Sequence, residues 1–198
     1  MLKRGEIVLV TGSEGKAKEF VDLASDYGIP IRWVKYAKPE IQGERLEDIA
    51  RFSAISMFQI IGSPLIVEDA GLFIEALNGF PGPYTSFVNR TIGIQGVLRL
   101  MSGIENRKAY FKSVICYVDE DSTHIFVGTV DGSISLEPKG ENGFGFDPIF
   151  VPEKDKRTFA QMEPQLKNRI SHRSRAFSKL ASFLSTKSLK GREFHSLG

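Results

Sequence analysis

The chain has 198 residues, of which 41% are hydrophobic and 25% charged, and its formal net charge is +2. These proportions fit one globular domain, or two tightly joined lobes, and a charge so near balance excludes a surface built wholesale for nucleic acid or membrane. The single cysteine, Cys116, excludes an intrachain disulfide and a cysteine-rich zinc site. The apolar run after Met1-Leu2-Lys3-Arg4 extends only from Ile7 to Val10, too short for a signal-peptide core, and no stretch approaches membrane-spanning length. A cytoplasmic protein with no nucleic-acid or membrane partner is expected.

In chain order, Glu6 to Val10 reads as a buried strand, and Thr11-Gly12-Ser13-Glu14-Gly15-Lys16 turns it into a helix ending near Gly28. A P-loop is excluded: the pattern needs glycine five residues before the Gly-Lys pair and a hydroxyl directly after it, where this chain has Val10 and Ala17. Two readings stand for the turn. A helix N-terminus with Lys16 beside it suits a phosphate. Equally, Ser13 can serve as an ordinary N-cap. Ile31 to Tyr36 reads as a second strand. A helix follows from about Arg45 to Ile61, and its apolar residues, including Phe52, Ile55 and Ile60, cover so broad a face that packing on two sides is expected. Glu40 and Glu44 precede it, well placed for its dipole; Glu40 gains chemical interest only if it meets Asp69 in space.

Pro64 to Val67 reads as a short buried strand that delivers the adjacent carboxylates Glu68 and Asp69 at its end, with the small Ala70 and Gly71 next. Acids at a strand end beside small residues mark the chemistry in many open α/β sheets, although a solvated loop has the same look. Leu72 to Leu77 leads into the turn residues Asn78 to Pro83. Ile92 to Met101 carries a helical pattern, and Ala109–Val118 with His124–Val130 reads as an antiparallel hairpin that Gly132 to Ser135 either extends or leaves. In Gly140 to Pro152, Phe144 and Phe146 alternate with glycine (Gly145 between them) and Asp147 follows. Such aromatics either stack on a planar base or pack inward in a tight turn. Gln165 to Arg175 starts a final helix, where Lys167, Arg169, His172, Arg173 and Arg175 oppose the helix dipole and so point to an anionic partner, with a solvated basic face as the alternative. From Ser188 the chain is polar and expected to fray. Strands around the first helix and the later hairpin predict a mixed α/β sheet flanked by helices, in a single domain over residues 1–187.

VTGSEGK, VEDAGLFIEALNGFPGPY, GFGFDPIF and KNRISHRSRA, in this order and spacing, resemble the inosine triphosphate pyrophosphatase family from about residue 6 to 185. The resemblance implies an elongated two-lobed α/β fold with the active site in the cleft between lobes, usually as a homodimer. It implies hydrolysis of nonstandard purine nucleoside triphosphates (ITP, dITP, XTP) to the monophosphate and pyrophosphate, by water attack at the α-phosphorus. The implied cofactor is Mg²⁺, with Mn²⁺ as the alternative, held by Glu40 and Asp69. Asp69 is the implied catalytic residue; the sequence does not divide the work between it and Glu68. Implied substrate contacts are Thr11, Gly12, Ser13, Glu14, Gly15, Lys16, Ala70 and Lys167 at the phosphates, with Arg51 as a further cation. Phe144, Gly145, Phe146 and Asp147 would meet the purine, and His172 or Arg173 would donate to its C6 oxygen. The family usually has asparagine where this chain has Ser13, and serine or threonine where it has Ala70. Septum-inhibitor-like pyrophosphatases do not match TGSEGK, and a nucleotide-binding regulator without turnover is the remaining alternative.

Overall fold

The structure, a computed structural model, describes residues 6–193. It is built on one mixed sheet. β1 (Ile7–Val10) is apolar at every position because it is buried on both faces. It pairs in parallel with β2 (Ile31–Val34) on one side and with β3 (Leu65–Ile74) on the other. β5 (Lys108–Val118) and β6 (Thr123–Ile134) form the long hairpin beside β3, and β7 (Phe150–Pro152) closes the edge, giving the order β2-β1-β3-β5-β6-β7. A two-residue strand, β4 (Pro81–Gly82), also pairs with β3. Between the strands run α1 (Glu14–Asp26), α2 (Leu46–Ile61), α3 (Thr85–Thr91) and α4 (Gly93–Leu100), and α5 (Pro164–Ile170) and α6 (His172–Glu193) follow β7.

Three cores follow from the alternation of side chains along β3 and β5. On one face, α1 and α6 pack Phe20, Leu23, Phe177 and Leu180 against Leu9, Ile66 and Ile115. On the opposite face, α2 packs Leu46, Ala50 and Met57 against Val8, Leu65, Val67 and Val114. Farther along β3 and β5, Leu72, Phe111, Val97, Met101, Phe150 and Phe159 make a third core that defines a second lobe. The row facing α1 and α6 thus reads Ile66, Glu68, Ala70, Leu72 on β3 and Ile115, Ser113, Phe111 on β5, with Glu68 and Ser113 both fully buried. Polar side chains separate the two lobes' cores.

Several elements differ from expectation. The short strand before the acids is the first part of a ten-residue strand, β3, that continues through Glu68, Asp69, Ala70 and Gly71, because β5 pairs with it along its whole length. What ends before Glu68 is the pairing with β1, which stops at Val10–Val67. α2 packs on one side only: Phe52, Ile55 and Ile60 are exposed, since the sheet covers a single face of the helix. α3 lacks a clean apolar stripe, burying Val88 alone, and was not foreseen. Gly132 and Ser133 extend β6. The final helix is two helices broken at Ser171, whose extended backbone (φ −69, ψ 159) and Oγ, accepting from Ser174 N–H at 3.1 Å, begin α6 anew. The tail expected to fray from Ser188 is helical to Glu193, and residues 194–198 lie outside the described residues.

The first turn of α6 rests directly on β6 at Gly128, where a Cβ would stand 2.2 Å from His172 O and 2.4 Å from Ala176 N. Gly128→Ala is therefore expected to push α6 off the sheet and cost about 1–3 kcal/mol. A shift of the urea midpoint measures it; an unchanged midpoint contradicts this seating.

Candidate active site

Where β1 ends, a cavity of ≈ 670 Å³ opens between the lobes. Its position follows from topology: β3 runs past the carboxyl end of its parallel partner, leaving strand residues uncovered beside the α1 N-terminus. Glu68 and Asp69 are successive strand residues, so they point to opposite faces. This separates their chemistry.

Glu68 belongs to a buried chain of alternating charges. Its carboxylate accepts from Ser113 Oγ at 2.8 Å, pairs with Arg173 Nη2 at 3.0 Å, and faces Lys16 Nζ at 2.8 Å. Arg173 continues to Glu19 of α1, Glu19 to Lys167 Nζ at 2.7 Å, and Lys167 to Asp147 Oδ2 at 2.5 Å. Burial would raise the Glu68 pKa, but Arg173, Lys16 and the Ser113 hydroxyl outweigh it and hold the carboxyl well below the usual range. Glu19 is likewise depressed, burial being overcome by Arg173 and Lys167. At Asp147 burial prevails over Lys167 and the direction is upward. Three cations and three carboxylates compensate one another where polar groups separate the cores. The members are not equally committed. Arg173 and Lys167 each hold two acids with side chains 2% and 4% exposed, whereas Lys16 meets one acid and is 20% exposed.

Above this network lies the N-terminus of α1. Ser13 caps it, accepting from Lys16 N–H at 3.3 Å, and Thr11 Oγ1 accepts from Ser13 N–H at 3.1 Å. The remaining first-turn N–H groups have no intrahelical acceptor and suit an anion. Phe144 lies across this turn, so close that a Cβ on Gly15 would stand 2.7 Å from its ring. The loop that presents it is wound around Asp147: Phe144 N–H donates to Asp147 Oδ2 at 2.8 Å, and Gly143 and Gly145 take positive φ to allow it. The Lys167 ammonium sits 4.8 Å from the Phe144 ring centroid. Beside it, His172 stacks on Phe111 at 4.7 Å, with Nδ1 buried and making no hydrogen bond. Burial, and then the charge of Arg173, push the His172 pKa well down, so the ring is neutral.

On the other face, Asp69 Oδ2 and Glu40 Oε1 share one cation, the Lys38 ammonium, at 3.0 Å and 2.5 Å. Burial raises the Asp69 pKa, against the pull of Lys38 and Lys16. Glu40 and Asp69, 29 positions apart in the chain, thus converge on one point.

The cleft brings together Thr11, Gly12, Ser13, Lys16, Glu40, Asp69, Ala70, Phe144, Gly145, Phe146, Asp147, Lys167, His172 and Arg173. Other expected residues lie elsewhere or have partners of their own. Glu14 turns away to an exposed pair with Lys35 at 2.7 Å, and Gly15 serves as the bed for Phe144 instead of lining the cleft. Arg51 is exposed on α2, away from the cleft wall. Phe146 borders the cavity, but its ring is buried in the second lobe's core, so of the two phenylalanines Phe144 is the one partly exposed. Asp147 pairs directly with Lys167, and Lys167 and Arg173 share Glu19, so each of the three has a partner within the protein. Within the basic cluster Lys167 and Arg173 meet carboxylates of the protein, and the break at Ser171 moves Lys167 and Arg169 to a helix C-terminus, where cations are favoured. Sequence reasoning missed Glu19, which looks like an outward position of an amphipathic helix. It also missed Lys38, a charged loop residue, and α3, which contributes Thr85, Ser86, Asn89 and Arg90 to the wall.

Comparison with known proteins places the chain in a family. The sequence model of the Ham1 family matches residues 7–183. The dITP/XTP pyrophosphatase of Saccharolobus solfataricus is 48% identical over 185 residues, 93% of this chain and 96% of that protein. The protein of the same name from Thermococcus kodakarensis is also 48% identical, over 90% of this chain and 96% of its own. Among solved structures, the Staphylococcus aureus Ham1 protein superposes with a TM-score of 0.77 at 30% identity, covering 91% of this chain and 99% of that one. The HAM1 protein of Coxiella burnetii gives 0.77 at 31% identity, with the same coverage.

The network predicts the cost of opening it. Arg173→Met strands Glu68 and Glu19 with one cation each and is expected to destabilise by about 3 kcal/mol at neutral pH. Both carboxyls are depressed in the folded protein, so their stabilisation is full above the unfolded value and is lost as pH falls. The gap between variant and wild type should therefore narrow as pH drops below about 4.3. Urea unfolding across pH 3–7 measures it, and a gap independent of pH contradicts the pairing.

Proposed function

The chain belongs to the Ham1 family, and from that premise we propose that its cleft is a nucleotide pyrophosphatase site, with the roles that follow. The reaction is hydrolysis of nonstandard purine nucleoside triphosphates to the monophosphate and pyrophosphate. The observation that carries the assignment of roles is that one cleft is lined together by an aromatic, a neutral imidazole, a helix N-terminus with Lys16, and a pair of carboxylates that share one cation.

In this reading the purine lies against Phe144, and the triphosphate follows the α1 N-terminus. Lys16 is the cation that exchanges Glu68 for phosphate, being the most exposed and least partnered of the three. Lys167 and Arg173 act by holding Asp147, Glu19 and Glu68 in place. Discrimination by the base then rests on His172. Its Nδ1, buried without a partner, can donate to the C6 oxygen of hypoxanthine or xanthine, where adenine presents an amine instead. A mismatched buried donor pair discriminates strongly.

Glu40 and Asp69 would hold the divalent ion. The fit is supported by their shared hold on one cation and by their hard oxygen donors, which suit Mg²⁺ with Mn²⁺ as the alternative. Among the described residues no group of three or more His, Cys, Asp or Glu converges, so substrate phosphates and water would complete the shell. When bound, the ion neutralises charge on the phosphates. Asp69, not Glu68, is assigned to orient the attacking water at the α-phosphorus: its carboxylate lines the cleft, while Glu68 is held in ion pairs. No helix among the described residues is long and apolar enough to cross a membrane. A cytoplasmic homodimer of single two-lobed domains completes the proposal, and the exposed Phe52, Ile55 and Ile60 of α2 support an interface.

The test is product release with Mg²⁺ from ITP, dITP and XTP against ATP and GTP, with pyrophosphate and phosphate assayed separately. Pyrophosphate from the first three, with little from ATP or GTP, is expected; phosphate alone contradicts the proposal. In the same assay His172→Ala should lower kcat/KM for ITP by about tenfold or more while leaving ATP nearly unchanged. Equal loss for both would remove His172 from base recognition.

A further inference from the structure

Lys38 stands in an unusual place for a lysine. Its side chain is 8% exposed, and its ammonium lies 3.0 Å from Asp69 Oδ2 and 2.5 Å from Glu40 Oε1. Lysines are seldom buried unless paired, and here the pair consists of the two carboxylates assigned to the divalent ion. The backbone beside it is fixed, because the fully buried Ser53 of α2 donates its Oγ to Pro39 O at 2.6 Å. The segment is therefore pinned to α2, and the freedom left to Lys38 is rotation of its side chain.

We propose that Lys38 is a built-in competitor of the divalent ion: its ammonium occupies the Glu40–Asp69 position when no nucleotide is bound and leaves when the ion enters. The inference rests on the reading of Glu40 and Asp69 as metal ligands. An ammonium and a dication between the same two carboxylates repel each other strongly in a partly buried site, so occupancy by one excludes the other. A triphosphate changes the balance twice. It adds oxygen ligands for the ion, and it offers the displaced ammonium a new anion within the same cleft, which both Lys38 and Lys16 line. Ion binding is thereby coupled to nucleotide binding. The protein holds the ion weakly alone and more tightly with substrate, and the coupling is reciprocal.

The test is a titration of Mn²⁺ into metal-free, nucleotide-free protein, with free Mn²⁺ read by electron paramagnetic resonance. Lys38→Met removes the charge and keeps the length; it should bind Mn²⁺ at least about tenfold more tightly than wild type. Lys38→Arg, which keeps a cation there, should stay near wild type. Should Lys38→Met fail to fold, Lys38→Gln carries the same expectation, since it can hydrogen-bond a carboxylate without charge. Affinity in the neutral variant equal to or weaker than wild type overturns the proposal. Asp69→Asn in the Lys38→Met background distinguishes the two levels: it should abolish the tight site. Tight binding that survives it overturns the assignment of the metal to Glu40 and Asp69, and the competition with it.

Discussion

The arrangement depends on one constraint: Glu68, a carboxylate with a side chain 1% exposed, has to be compensated. It sits in the middle of a strand whose apolar residues on the same face, Ile66 before it and Leu72 beyond Ala70, lie in different cores. A charge there is tolerable only with cations and donors around it, and Arg173, Lys16 and Ser113 supply them. Arg173 then requires Glu19, Glu19 engages Lys167, and Lys167 engages Asp147, which in turn fixes the backbone of Phe144. One compensated charge in β3 thus positions α1, α5, α6 and the glycine loop around a cleft. Buried networks of this kind do not of themselves add stability, but they penalise every arrangement in which a partner is misplaced.

In the proposed reading the same strand sets the chemistry apart from the scaffold. Alternation sends Glu68 into the network and Asp69 to the opposite face, where Glu40 and Lys38 meet it. Adjacent acids thereby acquire opposite environments. Glu68 is held charged by ion pairs, while burial dominates at Asp69 and raises its pKa. Among the cations, commitment decides role. Arg173 and Lys167 are fastened twice each, and Lys16 once, by a contact off the ideal hydrogen-bond direction. Lys16 is therefore the member that can exchange its partner for a phosphate at little structural cost.

Much of the fold was legible because it is written in local pattern. The apolar run of β1, the stop at Gly28, the α2 stripe and the β5–β6 hairpin all follow from periodicity and turn residues. β3 was misread because Glu68, Asp69 and Gly71 look like the end of a strand, and only pairing with β5, some forty residues away, carries it on to Ile74. The site residues were legible as a set and not as a circuit. A cation cluster at 167–175 is visible in the sequence, but its partners Glu19 and Glu68 lie more than a hundred residues away and carry no local mark. The Ser171 break did leave a signal, a serine three residues before another hydroxyl at a helix start, which was passed over because the apolar stripe continues beyond it. Lys38 had none, since a lysine in a loop is ordinarily solvated.

The most direct test of this account is the structure of the protein with a non-hydrolysable inosine triphosphate analogue and Mg²⁺. The account predicts the purine against Phe144, the triphosphate over the α1 N-terminus, and Lys16 turned from Glu68 to the phosphates while Arg173 keeps Glu68 and Glu19. A triphosphate held by Arg173 with its ion pairs broken, or bound outside this cleft, would contradict it.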